Sequence, residues 1–181
     1  LSAFGAFSID LYLPALPAIA ADFKAGISDV QATMSAFLIG MAVGQLLFGP
    51  LSDRIGRRVP LLIGIGIYTL ASVALTLVPT LQLLVAGRFV QALGACAGMV
   101  IGRAIVRDRF NTTESARLFS FTFLVVGVAP MLAPSAGALI LQFSDWHMIF
   151  LVRAAFGLVA GRLAWRFIPE SRTEETAQQA A

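Results

Sequence analysis

Six stretches of this sequence, each about twenty residues long and poor in charge, follow one another along nearly the whole chain. A helix rising 1.5 Å per residue needs about 20 residues to cross a hydrocarbon core of about 30 Å, so each stretch is long enough to span a bilayer. The composition agrees: 58% of residues are hydrophobic and 13% charged, shares that exclude an ordinary water-soluble domain. The chain reads as a polytopic, all-α membrane protein.

The spans fall at about residues 1–20, 31–50, 59–79, 81–106, 117–141 and 147–168. No basic segment precedes the first run, which also holds Asp10, Pro14 and Pro17, so it reads as a retained span and not a cleaved signal. The chain opens at Leu1 and closes on "PESRTEETAQQAA", a polar stretch with the composition of a flexible connector; both ends read as cuts in something longer. The single cysteine, Cys96, excludes an internal disulfide and reads as a small packing residue. With one histidine, His147, no His/Cys metal cluster is expected. No nucleophile, metal or general base pair recurs at depth, so an enzyme is not expected.

The joints between spans alternate in charge. The second carries Arg54, Arg57 and Arg58, the fourth Arg107, Arg109 and Arg117, and the tail Arg166 and Arg172. The first holds Asp22, Lys24 and Asp29, the third is the uncharged "PTLQ", and the fifth holds Asp145 and His147. The excess of arginine on alternate joints places the second, the fourth and both termini in the cytoplasm. Gly64, Gly66, Ala71 and Ser72 in the third span, and Ala92, Gly94, Ala95, Ala97 and Gly98 in the fourth, supply the small residues through which helices approach closely in lipid.

Ionisable groups inside spans cost roughly 2.5 to 3.5 kcal/mol on insertion scales, so each requires a partner, a cavity or a route to the interface. Asp10 lies about 15 Å deep, beyond the reach of snorkelling. At 100° per residue Asp10, Pro14 and Pro17 share one face, continued by Ala3, and the prolines free carbonyls and kink the helix there; that face is expected to line a wet cavity. An alternative is a purely structural ion pair. Arg88, about 10 Å deep in the fourth span, can reach the level of Asp10 and is its expected partner. Its stripe through Gln91, Ala92, Ala95, Met99 and Gly102 reads as a cavity wall. Phe7, Tyr12, Gln91 and Met99 are candidate substrate contacts or ordinary packing residues. Arg103, Arg162 and Arg166 lie close enough to span ends to snorkel. Arg153 has no acid one turn away; reaching Asp145, reaching the outer interface and facing the cavity are its open alternatives.

Between the second and third spans stands "GPLSDRIGRR", with Gly49, Leu51, Asp53, Arg54, Gly56, Arg57 and Arg58. It resembles, without a gap, the loop motif of the major facilitator superfamily. The first span, "SIDLYLPALPAIAADF", is similar to that of the Bcr/CflA branch of drug:proton antiporters, and "LVAGRFVQALGACAGMVIGRAIVRD" to its fourth. "GVAPMLAPSAGALI", with Pro130, Pro134 and Gly137, resembles the branch's fifth span. It departs from the general antiporter pattern of Gly-Pro-x-x-Gly-Gly, keeping only Pro134 and Gly137. Arg153 and Arg162 stand where that family carries apolar residues.

The resemblance implies residues 1–168 as the first six-helix half of a twelve-span transporter, built from two inverted three-helix repeats, with 169–181 opening a cytoplasmic connector to an absent second half. It further implies proton-driven export of small amphipathic drugs across the bacterial inner membrane, with the proton gradient as energy source, no cofactor and no nucleic-acid partner. Asp10 would carry the proton or a cationic substrate, with Arg88 tuning it. Asp53 would make a breakable contact, with a helix N-terminus as the candidate and part of that partner in the absent half, while Arg57 and Arg58 anchor the loop. A proton-coupled symporter of the same fold and a non-transporting half are the alternatives.

Overall fold

The computed structural model describes residues 3–168; the expected connector at 169–181 lies outside them. Seven α-helices account for most of this span: α1 (Ala3–Asp10), α2 (Leu16–Asp22), α3 (Ile27–Ile55), α4 (Arg58–Ala74), α5 (Leu81–Arg109), α6 (Thr112–Phe143) and α7 (His147–Phe167). Helices α3 and α5 to α7, together with α4 and the short 3₁₀ turn that continues it, are five elements long and apolar enough to cross a membrane. The first span is divided, with α1 and α2 separated by a 3₁₀ turn at Leu13–Ala15.

That division corrects the expectation of one proline-kinked helix. Pro14 and Pro17 each fall in the first turn of a new short helix, where a missing N–H costs nothing. The chain therefore stops and restarts twice within one membrane thickness.

Elsewhere the termini follow local chemistry. Asp29 accepts from the Gly26 N–H at 3.1 Å and starts α3 several residues earlier than the apolar run suggests. Asn111 and Glu114 form a capping box, with the Glu114 N–H donating to Asn111 Oδ1 at 2.9 Å, which moves the start of α6 back to Thr112. Helix α3 also runs on through Gly49 and Pro50, so the expected ten-residue joint reduces to a turn at Gly56, whose φ of 94° suits only glycine.

Helix α5 forms the bundle's centre. It packs along α3 and α4 through small residues, with Gly40 and Gly44 of α3 facing Ala92 and Cys96. Helix α4 packs in turn on α7, and α1 on α6. The pairing of α3 with α5 is thus matched by that of α6 with α1, the correspondence that two repeats of three spans produce. Large apolar side chains point outward, among them Leu46, Leu70, Phe123 and Phe143, as a lipid solvent permits. Arg103, Arg162 and Arg166 are exposed, as snorkelling requires.

Candidate functional site

The break in the first span leaves a backbone acceptor without its helical donor. The Tyr12 N–H bonds back to the Ile9 carbonyl at 3.1 Å instead of continuing the i to i−4 ladder to Ser8. Two guanidinium groups serve the Ser8 carbonyl instead: Arg153 Nη2 donates to it at 2.6 Å and Arg88 Nη2 at 3.2 Å. Both arginines are fully buried. Freed carbonyls near a break are tolerated in a membrane when neighbours satisfy them, and here charged side chains from α5 and α7 do so.

A closed polar network extends from this point. Arg88 Nη1 donates to Gln91 Oε1 at 2.7 Å, Gln91 Nε2 to Ser72 Oγ at 2.7 Å, and Ser72 Oγ to the Tyr68 carbonyl at 2.7 Å. The Tyr68 hydroxyl meets Ser8 Oγ at 2.8 Å, returning to α1. Tyr12 Oη donates to Thr33 Oγ1 at 3.0 Å, because the Thr33 hydroxyl is itself committed as a donor to the Val30 carbonyl at 2.6 Å. The Tyr12 ring lies beside both cations, 4.4 Å from Arg88 Cζ and 5.4 Å from Arg153 Cζ. Phe37 covers Arg88 at 4.2 Å and Phe150 covers Arg153 at 5.1 Å. A desolvated cation–π contact is worth about 2 kcal/mol, so the rings offset part of the cost of burying charge without neutralising it.

The structure brings together Tyr12, Gln91 and Arg88 of the expected site, and it corrects two expectations. Arg88 does not pair with Asp10: among the described residues Asp10 makes no ion pair or side-chain hydrogen bond, and it is only half-buried. The physical reason is that a neutral carbonyl, an amide and two aromatic faces already surround the Arg88 guanidinium. The Arg88 stripe is also not a cavity wall over most of its length. Gln91, Ala92 and Ala95 are buried in helix packing, and Met99 lies over Gly5 and beside Met41, away from the network. Asp10, Pro14 and Pro17 stay at least partly accessible on the outside of the half-bundle. Ser8, Thr33, Tyr68, Ser72 and Arg153 complete the network without having been singled out as site residues. Their legible signal was polarity inside apolar spans, with Tyr68 and Ser72 one turn apart on one face.

Gly137 backs the broken segment. A methyl in place of its hydrogen would stand 2.5 Å from the Leu11 carbonyl and 3.3 Å from Pro14, so α6 approaches the break as closely as backbone allows. Pro134 is half-buried one turn earlier, and Pro130 is exposed.

At the opposite site, Arg57 is a hub and not a mere anchor. It donates to Ser52 Oγ at 2.8 Å and to Asp108 Oδ2 at 3.0 Å, and it pairs with Asp53. Among the described residues Asp53 thus contacts an arginine one turn on. Burial disfavours the charge of Arg57, but the bonds to Asp108 and Asp53 outweigh it and hold the guanidinium above its ordinary value. Arg58 donates to the Trp165 carbonyl at 2.9 Å. Leu51 and Arg54 are exposed, and Gly49, within α3, has no neighbour at close range among the described residues. These contacts collect the second joint, the fourth joint and the end of α7 at one end of the bundle. A bond from Trp146 Nε1 to Asp22 Oδ2, at 3.0 Å, joins the first and fifth joints at the other.

A lipid-facing bundle with a broken first span, a buried arginine network behind it and a charged latch at one end defines a multi-pass membrane protein of transporter type. The chain belongs to the Major Facilitator Superfamily, whose family model matches residues 1–181. This is a superfamily of transporters and not of enzymes. The chain is 45% identical over 161 residues to the MFS-type transporter YdgK of Bacillus subtilis, covering 88% of this chain and 40% of that protein. It is 37% identical over 175 residues to the bicyclomycin resistance protein homolog of Haemophilus influenzae, covering 97% of this chain and 44% of the relative. It is also 37% identical over 171 residues to a chloramphenicol resistance protein of Pseudomonas aeruginosa, covering 93% and 41% respectively. The chain therefore spans well under half the length of these relatives.

Proposed function

We propose that this chain is the first six-span half of a proton-coupled exporter of small amphipathic drugs, seated in the bacterial inner membrane with both termini cytoplasmic. One observation carries the reading: Asp10, the only acid at depth in the described spans, stands on the accessible side of the first-span break, with the arginine network behind it. A carboxylate cut off from water holds its proton, and one met by a cation releases it. Proton and cationic substrate then exclude one another at Asp10, and that exclusion is the coupling an antiporter needs. The names of the relatives support drugs as the substrate class. The arginine-rich end of the bundle supports a cytoplasmic placement of the latch. Six further spans would supply the opposite wall of the cavity, and the protein would use the proton gradient with no cofactor.

The test uses everted membrane vesicles carrying the complete protein and energised to an acid interior. Antiport predicts that adding substrate outside such vesicles releases protons from the lumen and drives substrate in. A symporter would instead expel substrate together with protons under the same gradient, and that result would overturn the proposal.

A further inference from the structure

The network around Ser8 has an unbalanced charge. Arg88 and Arg153 reach the same oxygen, so their guanidinium groups are neighbours, and two like charges in a low-dielectric interior repel strongly. Their hydrogen-bond partners among the described residues are a neutral carbonyl and a neutral amide, and neither forms an ion pair there. Three donors, Arg88 Nε, Arg153 Nε and Arg153 Nη1, are buried and have no acceptor among the described residues. Buried charges are ordinarily paired, and an open charged donor is among the costliest groups to leave so.

We propose that Arg88 and Arg153 form a receptor for one small monovalent anion, a halide or the carboxylate of a small ligand, held between α5 and α7 behind the break of the first span. Size follows from enclosure. Both side chains are fully buried, so an occupant must be small enough to enter a packed interior. Charge follows from the cations: one negative charge relieves the repulsion between them and leaves a single excess positive charge, which the aromatic faces of Tyr12, Phe37 and Phe150 offset in part. Chemistry follows from the donors, since three open N–H groups suit the few contacts of a halide or of two carboxylate oxygens. Arg153 is the defining member, because it is the second cation that creates the excess.

The experiment is thermal unfolding of the purified complete protein in detergent, at constant ionic strength, with sodium bromide, chloride or formate exchanged for sodium methanesulfonate. Bromide and chloride should raise Tm by a few degrees with a saturable dependence on concentration, as a ligand that binds the folded state does. A matching rise with formate extends the site to carboxylates; its absence confines the site to free halide. In Arg153→Met the anion-dependent rise should vanish, while Tm in methanesulfonate stays level or increases because an unbalanced cation has gone. Gln91→Glu installs a carboxylate against Arg88, and it should raise Tm in methanesulfonate and shrink the bromide effect. It serves equally if Arg153→Met fails to fold. Equal Tm in bromide and methanesulfonate for the unaltered protein, or an undiminished rise in both variants, would overturn the proposal.

Discussion

At the scale of single residues, the protein holds buried polar side chains in hydrocarbon through hydrogen bonds, several of which cross from one helix to another. Gln91 is the clearest case, since its amide accepts from Arg88 with one end and donates to Ser72 with the other. Gln91→Leu keeps the volume but leaves the guanidinium one acceptor short. Hydrogen bonds between membrane helices average about 0.6 kcal/mol, but an orphaned charged donor costs more, so a loss of about 2 to 3 kcal/mol is expected. Thermal unfolding in detergent measures it, and a loss below about 1 kcal/mol would mean that Arg88 finds another acceptor. Arg88, Gln91 and Tyr12 were legible in the sequence because intramembrane polarity marks them. Their main acceptor was not. The Ser8 carbonyl carries no side-chain signature, and it becomes available only because the Tyr12 N–H turns to Ile9. Arg153 stayed unexplained for the same reason: its partner is a backbone oxygen 145 residues away, invisible to spacing along its own helix.

At the scale of elements, the interrupted first span depends on what lies behind it. Gly137 of α6 touches the Leu11 carbonyl, so Gly137→Val must push α6 away or deform the break. Overpacking of this kind costs about 1 to 3 kcal/mol, and a lowered Tm beside retained membrane insertion is the expected outcome. The same substitution at Gly127, which has no neighbour at close range among the described residues, provides the comparison and should change Tm little. The sequence carried part of this. Two prolines three residues apart announced a disturbance but not whether the helix bends or restarts, because that depends on which N–H groups α6 and α5 leave room to redirect. The capping pair Asn111 and Glu114 was readable, but the apolar run that places a span begins after it. In "GPLSDRIGRR" a cluster of charge and glycine suggested a long loop, although the helix continues through Gly49 and Pro50, at the loss of the Pro50 donor, and only Gly56 turns.

At the scale of the whole molecule, charge separates the two ends of the bundle. Arg57 ties the second joint to the fourth, and Trp146 ties the first to the fifth. The alternation of arginine along the sequence anticipated this sorting, since it reflects how spans insert rather than how they pack. The latch around Arg57 is partly exposed, with Asp53 65% and Asp108 40% accessible, so its ion pairs are worth at most about 1 kcal/mol each and cost little to open. The buried network is the opposite kind of feature, closed on all sides and suited to hold α1, α4, α5 and α7 as one body. Between these two stands Asp10, accessible and without an ionic partner among the described residues, and on it the proposed coupling rests. The measurement that bears on it most directly is substrate-induced proton release from everted vesicles carrying the complete protein with Asp10→Asn. Release is expected to fall to the level of vesicles without the protein, while the variant inserts and melts as the unaltered protein does. Proton release at the normal rate and stoichiometry from the Asp10→Asn protein would contradict the proposed coupling.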